Sequence, residues 1–291
     1  MRLSVQHTTR YAYDAPVIHG LQRLRLRPKP THGQQVLEWE MKLQGATPQV
    51  EYEDQHYNST ALVLVEPGVR ELVIACSGVV ETIENAGILG HHTGHMPLWC
   101  FVRQTRLTRP GPRLRALVAS LGANRGDRLA LLHALCGVVG DAVAYETGQT
   151  DVATTAEEAL VVGRGVCQDH AHIFISAGRL LGIPMRYVSG YLKMDDRDEQ
   201  QAGHGWAEAH VEGLGWVGFD ISNRLCPDER YVRVATGCDY REAAPVTGIS
   251  TGAGEPAPEV SITVAAAQGG QQQQQRQGSQ SQSQGQQQNS G

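Results

Sequence analysis

The sequence predicts an α+β protein in which an N-terminal antiparallel β-sandwich or barrel precedes a segment mixing helices with strands. Three observations carry this. Leu37, Trp39, Met41 and Leu43 alternate with Glu38, Glu40 and Lys42, the period-2 pattern of a strand with one buried face. From Leu114 onward the apolar spacing changes to that of a helix, with Leu114, Leu117, Val118 and Leu121 on one face. Beyond Pro184 the pattern returns to β-forming runs separated by glycine turns.

The N-terminal strands are short and punctuated by Pro, Gly and Asn. Leu24 and Leu26 alternate with Arg23, Arg25 and Arg27, an arginine row read as a solvated strand face. Leu72, Ile74 and Cys76 mark a strand after the Pro67-Gly68 turn. Residues 84–110 read as a connection, with His91, His92 and His95 lacking any metal-ligand spacing. Two helices follow, one ending near Gly122, the other starting after Asp127 and stopped by Gly140. Thr154 or Thr155, each with a glutamate three residues on, opens a third that ends at Gly163. A fourth starts near Cys167 and closes at Leu181-Gly182-Ile183-Pro184. Strands are expected at Met185–Leu192, His204–Val211, Trp216–Asp220, Tyr231–Ala235 and Val260–Ala266, and a charged loop at Asp195–Gln201. The domains expected are 1–83, β-rich; 84–110, connecting; 111–267, the core; and 268–291, a Gln/Ser/Gly tail too polar to bury a core and read as disordered.

Composition narrows the function. The 291 residues are 41% hydrophobic and 19% charged, an ordinary globular balance. Lys and Arg number 25 against 30 Asp and Glu, a formal charge of −5, without dense basic clusters, which speaks against a nucleic-acid partner. Six cysteines lie scattered with no C-x-x-C pair, so neither a zinc ribbon nor a redox motif is expected. No cofactor and no metal is expected. There is no apolar signal region at the start and no run long enough for a membrane span, so the expectation is a cytoplasmic protein with reduced thiols.

The chemistry centres on Cys167. The stretch Gly163–Asp169 delivers a thiol to a helix start, where orphan N–H groups and the positive end of the helix dipole favour an anion such as a thiolate. A lone cysteine is more often a structural residue. A nucleophile needs a base, and the base an orienting partner. His204 and Asp220 supply both on a β-hairpin. A two-residue turn centred on Gly213-Leu214 would pair Asp220 with Ala207 and leave His204 three positions away on the wrong face. The pair therefore requires a bulge or a looser loop, hosted by Gly213, Gly215 or Gly218.

Four motifs in order, Gly-Val-Cys-Gln-Asp at 165–169, Gly-Ile-Pro-Met-Arg-Tyr-Val-Ser-Gly-Tyr at 182–191, His-Gly-Trp-Ala-Glu at 204–208 and Gly-Trp-Val-Gly-Phe-Asp at 215–220, resemble the bacterial transglutaminase-like superfamily. His7-Thr8-Thr9-Arg10-Tyr11 and Leu24-Arg25-Leu26-Arg27-Pro28 resemble the β-rich domain preceding that core in many members. The resemblance, over roughly residues 1–265, implies a papain-like core, its cysteine-bearing helix packed on an antiparallel sheet, and a Cys–His–Asp triad at Cys167, His204 and Asp220. It implies acyl transfer on a protein or peptide amide through a thioester, resolved by water (peptidase or amidase) or by an amine (transglutaminase). Asp220-Ile221-Ser222 departs from the family's Asp-Pro-Thr, and His170, His172 and His210 are further candidates for the base.

Two readings compete. Gly248-Ile249-Ser250-Thr251-Gly252 fits a serine-hydrolase motif but lacks a following helix, which that motif needs. A non-catalytic protein- or peptide-binding module would keep the fold without turnover. Substrate, acceptor, second oxyanion donor and oligomeric state are not specified by the sequence.

Overall fold

The computed structural model describes residues 1–121, 126–252, 254 and 257–267. The expected tail 268–291 and the helix stop at Gly122 lie outside the described residues.

The N-terminal strands are β1 (Arg2–Ala12), β2 (His19–Leu24), β3 (Gln34–Gln44), β4 (Ala46–Glu53), β5 (Ser59–Val65) and β6 (Glu71–Thr82), followed by the short β7 (Ile88–Gly90). Then come α1 (Pro112–Ser120), α2 (Arg128–Ala142), β8 (Ala144–Tyr145), α3 (Ala156–Val162), β9 (Arg164–Gly165) and α4 (Cys167–Leu180). The last third holds β10 (Met185–Leu192), β11 (Glu199–Gln200), β12 (His204–Val211), β13 (Gly215–Phe219), β14 (Tyr231–Gly237), α5 (Tyr240–Ala243), β15 (Val246–Thr251) and β16 (Glu259–Ala266).

Two sheets, β11-β16-β1-β6-β3 and β15-β2-β5-β4, enclose a core of Leu24, Val63, Val65, Leu72 and Ile74. This is the expected sandwich, but its membership is not the expected one. β15 and β16, read as part of the 111–267 core, pair with β2 and β1, and they do so antiparallel along their whole length. The 84–110 stretch is also more than a connection. β7 caps the edge of the second-domain sheet against β13, and a short 3-10 turn, Leu98–Val102, buries Phe101 edge-on to Trp216. The arginine row is broken: Arg25 is buried and paired to Asp54 at 3.0 Å, whereas Arg23 and Arg27 are exposed. Alternation alone could not reveal the buried carboxylate partner.

The second layer is the sheet β14-β10-β12-β13-β7 with α4 across it. Residues 168–179 of α4 are all buried, as befits a helix covered on every side by β10, β12, α1, α2 and α3. Gly178 lets Met185 pack against the helix, since a Cβ there would fall 2.7 Å from the Met185 sulfur. α2 runs through Gly140 to Ala142 rather than stopping at it, because Val139 and Val143 continue its buried face. α3 begins at Thr155 with the expected capping box to Glu158 and ends on Gly163 at φ 71°.

Leu3 and Val5 of β1, Val80 of β6, and Ile262 and Val264 of β16 belong to the same apolar core as α4. The sandwich and the helical layer therefore share one interior. A fragment spanning 111–267 is expected to show no cooperative urea transition, because β15 and β16 lose their partners and the core loses Leu3, Val5 and Val80. Circular dichroism of that fragment against the full chain checks this.

Candidate active site

Cys167 is the first residue of α4. The preceding turn is fixed by Asp169, whose Oδ2 accepts from the Val166 N–H at 2.8 Å and from Thr150 Oγ1 at 2.6 Å. Gly165 must be glycine, because a Cβ there would lie 2.6 Å from the same oxygen. Burial pushes the Asp169 carboxyl above its ordinary range against these two hydrogen bonds. So the Gly-Val-Cys-Gln-Asp run is one device: the aspartate holds the backbone that carries the cysteine.

The hairpin resolves the register question. Val211 pairs with Gly215 and Ala207 with Phe219, leaving a three-residue connection, Glu212–Leu214, with Gly213 and Gly215 at φ 84° and 80°. Continuing that register sets Trp206 opposite Asp220, so His204 lies two positions along on the same face. The looser loop supplies the shift, and the β12–β13 ladder itself needs no bulge.

His204 Nε2 donates to Asp220 Oδ2 at 2.6 Å, and the acid is fully buried. Tyr231 Oη and Asn223 Nδ2 each donate to the same oxygen at 2.7 Å, and the Asn223 N–H donates to Oδ1 at 3.2 Å. Burial alone would raise the Asp220 carboxyl, but these donors and the imidazolium hold it below its ordinary range. With Nε2 committed, Nδ1 is the ring nitrogen open to Cys167. Burial works to lower the His204 pKa, yet the facing Cys167 sulfur and the bond to Asp220 override it and bring the pKa up to about 10. The ring is stacked on Trp206, 27° off parallel, which fixes its plane.

These groups open into a cavity of about 370 Å³ between α4, β10, β12 and β1. Its walls include Tyr187 and Tyr191 of β10, Tyr240, and His7 and Thr9 of β1. His7 is itself held by Tyr191 Oη at 2.8 Å and Thr9 Oγ1 at 2.9 Å, and burial lowers its pKa to about 4. A Cβ on Gly205 would collide with the Tyr187 hydroxyl, which accounts for the glycine in His-Gly-Trp.

The other candidate histidines sit elsewhere. His170 bridges Ser222 Oγ at 2.8 Å and the Val143 carbonyl at 2.9 Å, so the Asp-Ile-Ser departure anchors the strand exit to α4 while Ile221 enters the core. His172 is buried, accepts from the Tyr240 N–H at 3.1 Å, and has its pKa lowered by burial to about 3. His210 lies against Trp216. His92 is locked between Trp216 Nε1 and the Met96 carbonyl, and His95 packs on Tyr57. Ser250 lies within β15, paired with Gly20, so the nucleophile-elbow context is absent and the serine-hydrolase reading fails. Among the described residues, His56, Cys238 and Glu242 bring ligand-type atoms within 4.8 Å of one another. Glu242 there already accepts from His56 at 2.8 Å and the Cys238 N–H at 2.7 Å, and His56 faces a different cavity from Cys167. Sequence reasoning missed Tyr231, Asn223, His7 and Tyr187; of these only Asn223, three residues past the acid, carried a local signal.

A thiol at a helix start, facing a histidine held by a buried acid on an antiparallel sheet, is the arrangement of the papain-like thiol enzymes. The chain belongs to the transglutaminase-like superfamily, matching it over residues 115–221 and the bacterial transglutaminase-like N-terminal region over 3–81. An uncharacterised protein of Mycobacterium leprae is 28% identical over 87% of this chain and 94% of its own length. An uncharacterised protein of Mycobacterium bovis is 36% identical over 36% of this chain and 37% of its own. A solved structure from Cytophaga hutchinsonii, named provisionally as a cysteine protease, superposes with a TM-score of 0.71 at 20% identity, covering 92% of this chain and 93% of that one, and shares the fold. No described helix is long and apolar enough to cross a membrane.

The His204 shift has a stability consequence. A histidine whose pKa is raised from 6.5 to about 10 on folding contributes stability that is complete below about pH 6.5 and is lost as pH rises towards 10. The difference in urea midpoint between the wild type and His204→Gln is expected to be largest near pH 6.5 and to shrink steadily to pH 10.

Proposed function

We propose that this chain is a cysteine hydrolase of amide or peptide bonds, with Cys167 as nucleophile, His204 as general base and acid, and Asp220 orienting the imidazolium. The observation that carries the reading is the 2.6 Å His204–Asp220 bond, which leaves the other ring nitrogen to the thiol at the start of α4.

The Cys167 thiolate attacks the carbonyl carbon, and the negative charge passes to the carbonyl oxygen. The C–N bond then breaks as His204 gives its Nδ1 proton to the departing amine, leaving a thioester. Water, deprotonated by His204, adds to the thioester. The C–S bond breaks, the carboxylic acid departs, and thiolate and imidazolium are restored. The oxyanion is met by the Cys167 N–H at the helix start. We assign the second donor to Tyr187 Oη, which lines the cavity and has no hydrogen-bond partner among the described residues. Burial and the nearby Cys167 push the Tyr187 pKa well above its ordinary value, so the phenol keeps its proton to donate.

Water is favoured over an amine as acceptor because, among the described residues, the cavity wall carries no carboxylate to receive a lysine ammonium. We also place the protein in the cytoplasm, where its six free cysteines would stay reduced. The binding-module alternative predicts no turnover and no enhanced thiol reactivity.

Hydrolysis of a fluorogenic peptide-amide panel is the test. Cys167→Ala is expected to reduce turnover to background, Asp220→Asn to lower kcat by about 10⁴-fold, and Tyr187→Phe to lower it by about 10²–10³-fold with KM little changed. Turnover that survives Cys167→Ala would overturn the assignment. So would a Cys167 that is alkylated by iodoacetamide no faster than a free thiol, together with no turnover of any substrate.

A further inference from the structure

We infer that the face of the β14-β10-β12-β13 sheet turned away from α4 holds a second binding site, for a small ligand carrying an oxyanion of the phosphate type. Successive residues of a strand point to opposite faces. Tyr187 lines the catalytic cavity, and its neighbour Arg186 lines a separate one of about 330 Å³. That cavity is roofed by the turns around Pro30 and Gln55 and by the 89–101 segment, which folds over Trp216.

Among the described residues its charged lining groups are Lys29, Arg186 and Arg233, and no carboxylate lines it. The acids close behind are the fully buried Glu208, which Arg186 Nε contacts at 2.5 Å and Arg233 contacts at 2.6 Å and 3.0 Å, and Glu242, which His56 contacts at 2.8 Å; Asp54 is paired to Arg25. Lys29, Arg186 and Arg233 against Glu208 and Glu242 leave the basic groups in excess by one. Buried charge without a partner is costly, and a cleft of one sign concentrates the opposite ion.

The donors are also left open. Arg186 spends only Nε on Glu208, and its guanidinium lies 3.9 Å over the Trp216 ring, which fixes its plane. Its two terminal nitrogens have no partner among the described residues, and neither does Nη1 of Arg233, a side chain only 9% exposed. A planar guanidinium with two free N–H edges is the group that grips an oxyanion through paired bonds. Lys29 is pinned by the His56 carbonyl at 2.9 Å, Asn58 Oδ1 at 2.9 Å and Thr236 Oγ1 at 2.8 Å. Burial and the two guanidiniums push its ammonium well below its ordinary range, a strain that a bound anion relieves. A metal fits this cavity poorly, because His56 and His92 already spend ring nitrogens on Glu242, Trp216 and the Met96 carbonyl.

The test is titration of the full-length protein with inorganic phosphate, using sodium chloride at equal ionic strength as control. Calorimetry is expected to show one site, and phosphate at about one hundred times its Kd is expected to raise Tm by roughly 5–10 °C. With ¹³C-methyl methionine, the Met96 resonance should move, since Met96 lines this cavity, while Met1, Met41, Met185 and Met194 stay in place. Arg186→Met should weaken binding by about 10- to 100-fold, and Cys167→Ala should leave it unchanged. Heat and Tm no different from the chloride control would overturn the inference. It would equally be overturned by binding that leaves Met96 unmoved, which can be read on the wild type even if Arg186→Met fails to fold, or by binding abolished in Cys167→Ala.

Discussion

The hydrogen bond between His204 and Asp220 depends on the length of one turn. A two-residue connection between β12 and β13 would place the two side chains on opposite faces of the sheet. Three residues, with glycines at positive φ at 213 and 215, bring them onto one face two positions apart. Everything else in the site is tuned to that pair. Tyr231 and Asn223 complete the carboxylate's shell, Trp206 sets the ring plane, and α4 delivers the thiol to the remaining nitrogen. Because the acid accepts from three side-chain and backbone partners besides the histidine's own ring, it stays ionised in a setting whose burial would otherwise favour the neutral form.

The N-terminal sandwich is bound into this arrangement and is more than an appended domain. β1 is the strand on which the two halves meet. Leu3 and Val5 enter the core beneath α4, and further along the same face His7 and Thr9 form a wall of the catalytic cavity. The chain returns after the catalytic sheet to add β16 beside β1 and β15 beside β2. This closes the sandwich with strands that are distant in sequence, and makes the geometry of the cleft depend on both ends of the chain.

Local pattern made much of this legible. The alternation at 37–43, the capping box at Thr155, the glycine stops at 163 and 182 and the bounds of β10 and β12 all follow from short-range chemistry, and the structure has them where the pattern puts them. Cys167, His204 and Asp220 were legible as a set through ordered motifs, since each sits at an element boundary that sequence marks well. What was not legible is non-local. Nothing within 246–266 says that its partners are residues 2–24, and nothing near Arg25 announces Asp54 two strands away at the end of β4. Gly140 reads as a stop by propensity, a cost of about 1 kcal/mol that the buried Val139 and Val143 outweigh. His7 and Tyr187 reach the cavity only because two sheets converge on it.

The alternation of one strand pair gives the sheet two chemistries. Odd-numbered residues of β10 and β12, Tyr187, Ser189, Ala207 and Ala209, are neutral, and this neutral face carries α4 and the wall of the cleft. Even-numbered Arg186 and Glu208 on the reverse form, with Arg233, a buried ionic layer. Such a layer contributes little net stability compared with an apolar one, because desolvation offsets most of the attraction. Its geometry is nonetheless demanding: Glu208 uses both oxygens, Trp216 stacks on one guanidinium, and Gly190 has no room for a Cβ against Val232 and Trp206. His204 and Glu208 lie four residues apart on the same strand, so the ionic layer fixes the backbone from which the imidazole projects. The Trp-x-Glu half of the His-x-Trp-x-Glu motif thus follows from positioning: Trp206 aligns the ring from beside it, and Glu208, further along the same face, locks the strand.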